Sequence, residues 1–183
     1  MKKLVLFLAD GFEEIEAVTV IDVLRRAELE LITVSINSEP LARGAHGINV
    51  ETDFTLANLA EKDFEMLIFP GGARGVQNLK DNKRIQELIA ANSDGQLAAI
   101  CAAPSLLAAG GWLEGRRATS YPSFADQVKA GSAIYSEETV VIDNNITTSR
   151  GPGTAMAFAL ALVEKLKDRA SSERLAQQML VSL

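Results

Sequence analysis

The chain has 183 residues, 48% of them hydrophobic and 23% charged, which suits one domain with an ordinary core and a solvated surface. Its formal net charge of −6 argues against nucleic acid as a partner, because phosphate binding needs a basic patch. A single cysteine and a single histidine exclude an internal disulfide and argue against a structural zinc site, and no run of about 20 apolar residues is present to span a membrane.

The first segment, "KKLVLFLADG", is a continuous apolar run, as expected of a strand buried on both faces. Its apolar part meets acids within a few residues, so no signal peptide is expected, and a reducing cytoplasm is the expected compartment for one free thiol. "EEIEAVTVIDVLRRAE" follows, with Ile15, Val18, Ile21, Val23 and Leu24 near helical spacing. "LELITVSIN" reads as a second strand. "INVETDF" reads as a weaker one, an edge strand or a hairpin arm after a turn at Gly44–Gly47. "FEMLIFPGG" is a third strong strand stopped by Gly71 and Gly72.

"NKRIQELIAANSDG" predicts a helix with Gly95 at its end. "QLAAIC" is a fourth strand, and a short helix is expected from about Pro104. Residues 117–150 hold weaker strands, with a hairpin around Asp143–Asn145. "GTAMAFALALVEKLKD" predicts an apolar helix packed on the sheet. "SSERLAQQML" predicts a last amphipathic helix, with Ser172 as its cap. Strands alternating with helices imply a mostly parallel sheet covered on both faces, with right-handed crossovers. In such sheets the active crevice lies beyond the carboxyl ends of the strands. "DGFEE", "PGGARG" and "CAAP" each follow a strong strand, so all three should meet at one edge.

Cys101 stands at one of these strand-to-helix turns. Local pattern leaves two readings open: an inert buried thiol, or a thiolate favoured by the N–H groups and dipole of the following helix. The turn resembles a nucleophile elbow. Gly71 and Gly72 allow close backbone approach, and the Gly72 and Ala102 amides are candidates for an oxyanion hole. Glu13, Glu14 and Glu16 suit a helix start. Glu16, framed by Ile15, Ala17 and Val18, is the one expected to point inward, where desolvation would keep it protonated beside the sulfur. "TSRGPGT", residues 148–154, lacks both the P-loop and the dinucleotide pattern and reads as a tight turn.

"GFEEIEAVTVIDVLRRA", "FPGGARGVQNL", "AAICAAPSLLA" and "TTSRGPGTAMAFALALVE", in that order, resemble the ThiJ/PfpI superfamily, nearest its DJ-one branch and bacterial relatives. The resemblance covers nearly the whole chain. It implies a single class I glutamine amidotransferase-like domain over residues 1–183, folded as a flavodoxin-like three-layer α/β/α sandwich, and a homodimer through the first helix, including Asp22 and Arg25. It makes Cys101 the elbow cysteine, Glu16 the protonated partner of its sulfur, and Gly72 and Ala102 the amides beside it. Arg26 and Arg43 look like the arginines that approach the site across the dimer interface.

Two departures matter. Peptidase members carry histidine directly after the cysteine, where this chain has Ala102, and a later family histidine is replaced by Tyr121. The sole histidine, His46, is expected on a surface loop. A Cys–His pair is the usual activator of a thiol for amide cleavage, so proteolysis is not expected. The resemblance implies instead a cofactor-free, metal-free glyoxalase or deglycase acting on methylglyoxal, glyoxal or their early adducts. A redox-responsive, chaperone-like protein that works by oxidation of Cys101 is the alternative. No partner beyond a small carbonyl or glycated substrate and a second copy is expected.

Overall fold

The computed structural model describes residues 3–60, 63–92 and 94–182. In chain order its elements are β1 (Leu4–Leu8), α1 (Glu14–Arg26), β2 (Leu31–Ser35), β3 (Leu41–Arg43), β4 (Asn49–Glu51), β5 (Phe54–Thr55), β6 (Met66–Phe69), α2 (Ala73–Asp81), α3 (Lys83–Ala91) and β7 (Gln96–Ile100). They continue with α4 (Pro104–Ala109), β8 (Arg117–Ala118), α5 (Ala125–Ala130), β9 (Ile134–Tyr135), β10 (Val140–Asp143), β11 (Ile146–Ser149), α6 (Ala155–Leu166) and α7 (Arg169–Gln178).

Successive side chains of a strand point to opposite faces, and the apolar runs serve two cores at once. Val5 and Phe7 of β1 enter one cluster with Leu67 and Phe69 of β6 and Leu97 and Ala99 of β7. Leu4, Leu6 and Leu8 enter the other with Met66, Ile68, Ala98 and Ile100. The first cluster is covered by α2 to α5 through Val76, Leu79, Ile85, Leu88, Leu106, Leu107 and Val128. The second is covered by α1, α6 and α7 through Val20, Val23, Leu24, Phe158, Leu162, Val163 and Leu175. The result is the three-layer α/β/α sandwich.

The sheet runs in the order β10-β11-β7-β6-β1-β2-β5. Every neighbouring pair is parallel except β10 with β11, which forms the hairpin expected around Asp143–Asn145. In this register β1, β6 and β7 end side by side, so "DGFEE", "PGGARG" and "CAAP" do meet at one sheet edge.

Several local expectations are corrected. "INVETDF" divides into Asn49–Glu51, an antiparallel hairpin arm against β3, and Phe54–Thr55, a parallel edge strand on β2. Helix α2 was not anticipated, because "ARGVQNLKD" carries only Val76 and Leu79 as large apolar residues, and tertiary burial of those two holds it. Helix α3 ends at Ala91, before Gly95, and is started by Asn82, whose side chain accepts from the Arg84 and Ile85 amides. Ser172 is not the α7 cap. Asp168 accepts from the Ser171 amide at 2.7 Å, while buried Ser172 donates to the Leu160 carbonyl at 2.9 Å and braces α7 on α6. Ser172→Asp, which a cap position would welcome, is therefore expected to destabilise the fold by ~2–3 kcal/mol. Urea unfolding at neutral pH measures this, and an unchanged midpoint would return Ser172 to the role of cap.

Candidate active site

Cys101 follows the last residue of β7 and adopts φ +65°, a left-handed conformation that costs a non-glycine residue about 1–2 kcal/mol. Neighbours hold it there. Its amide donates to the Ser149 carbonyl of β11 at 3.0 Å, and the Tyr121 amide donates to its carbonyl at 2.9 Å. The side chain is half-buried and touches both core clusters, so it sits on the seam between the two layers.

Glu16 occupies the first turn of α1 and is fully buried. The inward orientation is as expected, but the reason differs. Ile15 and Val18, which frame it, are 57% and 46% exposed. Glu16 instead shares the inner face with Val20, Val23 and Leu24, at helical spacing. Its Oε2 accepts from the Gly71 amide at 2.7 Å, and its Oε1 has no hydrogen-bond partner among the described residues.

Gly71 brings carboxyl and sulfur together. A Cβ at Gly71 would lie 2.5 Å from Glu16 Oε2, 2.6 Å from Cys101 Cβ and 3.0 Å from Cys101 Sγ, so only glycine leaves room for the pair. Gly72 has φ +92°, and a Cβ there would fall 2.2 Å from the Gly11 carbonyl oxygen. That conformation turns the Gly72 amide toward the Cys101 sulfur, which also accepts from Ala102. Both candidate oxyanion donors are therefore at the sulfur.

Desolvation raises the Glu16 pKa to about 7, against the opposing effects of its contact with Cys101 and the Gly71 amide. Burial and the Glu16 carboxylate push the Cys101 thiol up, and the Gly72 and Ala102 amides oppose them. A thiol lowered by the α4 dipole is thus not what the chain contains: α4 is short, starts three residues beyond Cys101 and opens with Pro104, which has no N–H. The two acids titrate as a pair. With the proton on Glu16, the carboxylate's repulsion disappears and the sulfur keeps its two amide donors, while burial still opposes a thiolate.

Tyr121 lies next to Cys101 through its backbone and is 45% exposed, its ring beside Gly151. Arg43 is turned to Asp10: its amide donates to that carboxylate, its side-chain charge acts on it, and its carbonyl accepts from Gly11. Arg26 pairs with Asp22 at 2.7 Å on the far end of α1. Among the described residues neither guanidinium hydrogen-bonds to Cys101 or Glu16. "TSRGPGT" is the expected turn, closed by Ser149 Oγ and the Gly151 amide on Thr154 Oγ1. His46 is exposed, as expected, but its Nδ1 lies 2.9 Å from buried Glu14. That pairing had no sequence signal, because the partners are 32 residues apart.

A family model described as the DJ-1/PfpI family matches residues 2–165. Protein DJ-1 homolog A of Arabidopsis thaliana is 36% identical over 183 residues, 98% of this chain, and the chain spans about half of that relative's length, 47%. A Caenorhabditis elegans protein named glutathione-independent glyoxalase DJR-1.2 is 36% identical over 166 residues, covering 90% of this chain and 88% of that protein. The crystal structure of Drosophila melanogaster DJ-1beta superposes with a TM-score of 0.94 at 35% identity over 100% of both chains, which matches the flavodoxin-like fold. With that fold, that family match and these relatives, the chain belongs to the DJ-1/PfpI family.

Proposed function

We propose that this protein is a cofactor-independent glyoxalase or deglycase that uses Cys101 as nucleophile on methylglyoxal, glyoxal or their early adducts. The observation that carries this reading is the buried Glu16 carboxyl against a strained, amide-flanked Cys101, with Glu16 Oε1 left without a partner. The glyoxalase name of the Caenorhabditis elegans relative supports it.

In the proposed sequence, Cys101 thiolate adds to the aldehyde carbon and forms a hemithioacetal. Gly72 and Ala102 amides face the developing oxyanion. Glu16 gives its proton to that oxyanion, and the carboxylate so formed removes the proton from the same carbon and returns it to the neighbouring one while the hydroxyl proton passes to the ketone oxygen, so the aldehyde carbon is oxidised as the ketone carbon is reduced. The product is a hydroxyacyl thioester on Cys101. Water hydrolyses it, releasing lactate from methylglyoxal and regenerating the thiol, with no external oxidant or reductant. Tyr121, whose ring lies beside Gly151, would bound the pocket.

The dimer belongs to the same proposal. Ile15, Val18 and Ile48 are 57%, 46% and 58% exposed, an apolar surface on α1 and beside the β3–β4 turn that a second copy would cover. Arg26 and Arg43 would then reach the site from that copy. Within the chain, no helix among the described residues is long and apolar enough to cross a membrane.

Wild-type protein incubated with methylglyoxal, without glutathione or metal, is expected to form lactate, and Cys101→Ser is expected to lower the rate about 10³-fold or more. Lactate formation independent of Cys101 would remove the proposal. Absence of lactate, with peroxide adding oxygen to Cys101 as read by intact mass, would favour the sensor reading instead. The pH profile tests Glu16. Activity is expected to rise as the pair loses its first proton near pH 7, because the active form holds one proton between the two groups. Glu16→Gln, which keeps the Gly71 contact but cannot carry the proton, is expected to lower the rate about 10²–10³-fold and to abolish that inflection.

A further inference from the structure

A second cluster of titratable groups lies on the same loop but outside the chemistry just described. We propose that Glu13, Glu14 and His46 form a binding site for a divalent first-row transition ion of the Zn2+ class.

The donor atoms sit on a fixed frame. Glu13 and Glu14 open α1, and His46 lies in the turn between β3 and β4. The two loops are stitched by the Gly11 amide on the Arg43 carbonyl at 2.7 Å and the Ala45 amide on the Phe12 carbonyl at 2.9 Å. Phe12 and Gly44 add a β-bridge.

The spacing suits coordination. His46 Nδ1 is 2.9 Å from Glu14 Oε2 and 3.6 Å from Glu13 Oε2. One donor atom from each of the three residues falls within 4.8 Å of the others. Two ligands bound tetrahedrally at ~2.0–2.1 Å are about 3.3 Å apart, between the two measured separations.

The buried ligand is oriented from behind. Glu14 Oε1 accepts from the His46 amide at 2.6 Å and the Ile48 amide at 3.4 Å, so Oε2, whose partner is His46 Nδ1, is the oxygen that an ion would share with that nitrogen once Nδ1 has given up its proton. The cradle exists because residue 44 is glycine: a Cβ there would lie 2.2 Å from Glu14 Oε1. Burial works against ionisation of Glu14, yet the His46 bonds hold its carboxyl below the usual range.

The charge asks for a cation. Among the described residues, the ion pairs of Glu13 and Glu14 go to His46 alone, and no Lys or Arg neutralises them. One imidazole nitrogen with two carboxylates favours Zn2+, Ni2+ or Co2+ over Mg2+ and Ca2+, which prefer all-oxygen shells. His46 is 70% exposed, so water can complete the shell. The positive end of α1 opposes a cation, which sets the expected affinity below that of closed four-ligand zinc sites.

This site needs no cysteine: it draws on two carboxylates and one imidazole. Its occupancy is also independent of turnover at Cys101.

The test uses the full chain carrying Cys101→Ser, so that the thiol cannot supply a ligand. Calorimetric titration with Zn2+ at pH 7.5 is expected to give one ion per chain, and Mg2+ no comparable heat. His46→Gln in the same background is expected to weaken Zn2+ about 10-fold or more. His46 is the chain's only histidine, so its ring Hε1 proton gives one assignable NMR signal that Zn2+ should shift. Lowering the pH to 5.5 should weaken binding, because the proton competes for Nδ1. Absence of Zn2+ binding by the folded protein, unchanged affinity in His46→Gln, or an unmoved ring signal would each overturn the proposal.

Discussion

The structure depends on one contact: a buried carboxyl and a sulfur meeting over a residue without a side chain. Glu16 comes from the first turn of α1, and Gly71 and Cys101 from the segments that follow β6 and β7; a methyl group at Gly71 would displace both partners. The carboxyl has no solvent to stabilise its charge, so it keeps a proton into the neutral range. That proton removes the carboxylate's repulsion of the sulfur, while burial still holds the thiol up. The raised titrations of Glu16 and Cys101 are therefore two results of one arrangement.

Parallel strands make the meeting possible. β1, β6 and β7 lie side by side in matched register, so their three carboxyl-end loops leave the sheet together. The elbow is then clamped from the other side. β11 gives its Ser149 carbonyl to the Cys101 amide, and Tyr121 takes the Cys101 carbonyl. Both backbone polar groups of Cys101 are satisfied in its left-handed conformation, which offsets the strain. A sulfur held on the seam between the two layers is the outcome.

The acidic start of α1 serves two separate purposes. Glu16 turns inward to the sulfur, while Glu13 and Glu14 turn to His46 and the β3–β4 hairpin. The hairpin is thereby docked on the loop that also carries Gly11, the residue against which Gly72 must fold. The exposed apolar residues of the same helix, Ile15 and Val18, face outward from this frame. A single helical turn thus presents three surfaces of different chemistry: to the sulfur, to the hairpin and to solvent.

Much of this was legible in the sequence. Uninterrupted apolar runs such as "LVLFL" and "MLIF" determine strands buried on both faces, because only a covered sheet can accept side chains on alternate sides. Glycines and the lone cysteine at strand ends marked Gly71, Gly72, Ala102 and Cys101 as one edge. Glu16 was located correctly, although its inward turn follows from the α1 core face and not from Ile15 and Val18. Short elements were harder. Helix α2 has too few apolar residues to announce itself, and Ser172 resembles a cap until α6 is seen to accept its hydroxyl. Two matters belonged to tertiary structure alone. One is the state of the thiol, since burial and a neighbouring carboxyl outweigh a short helix whose start is a proline. The other is the pairing of His46 with Glu14. Sequence carries periodicity and local chemistry, whereas desolvation and contacts across 32 residues exist only once the chain has closed on itself.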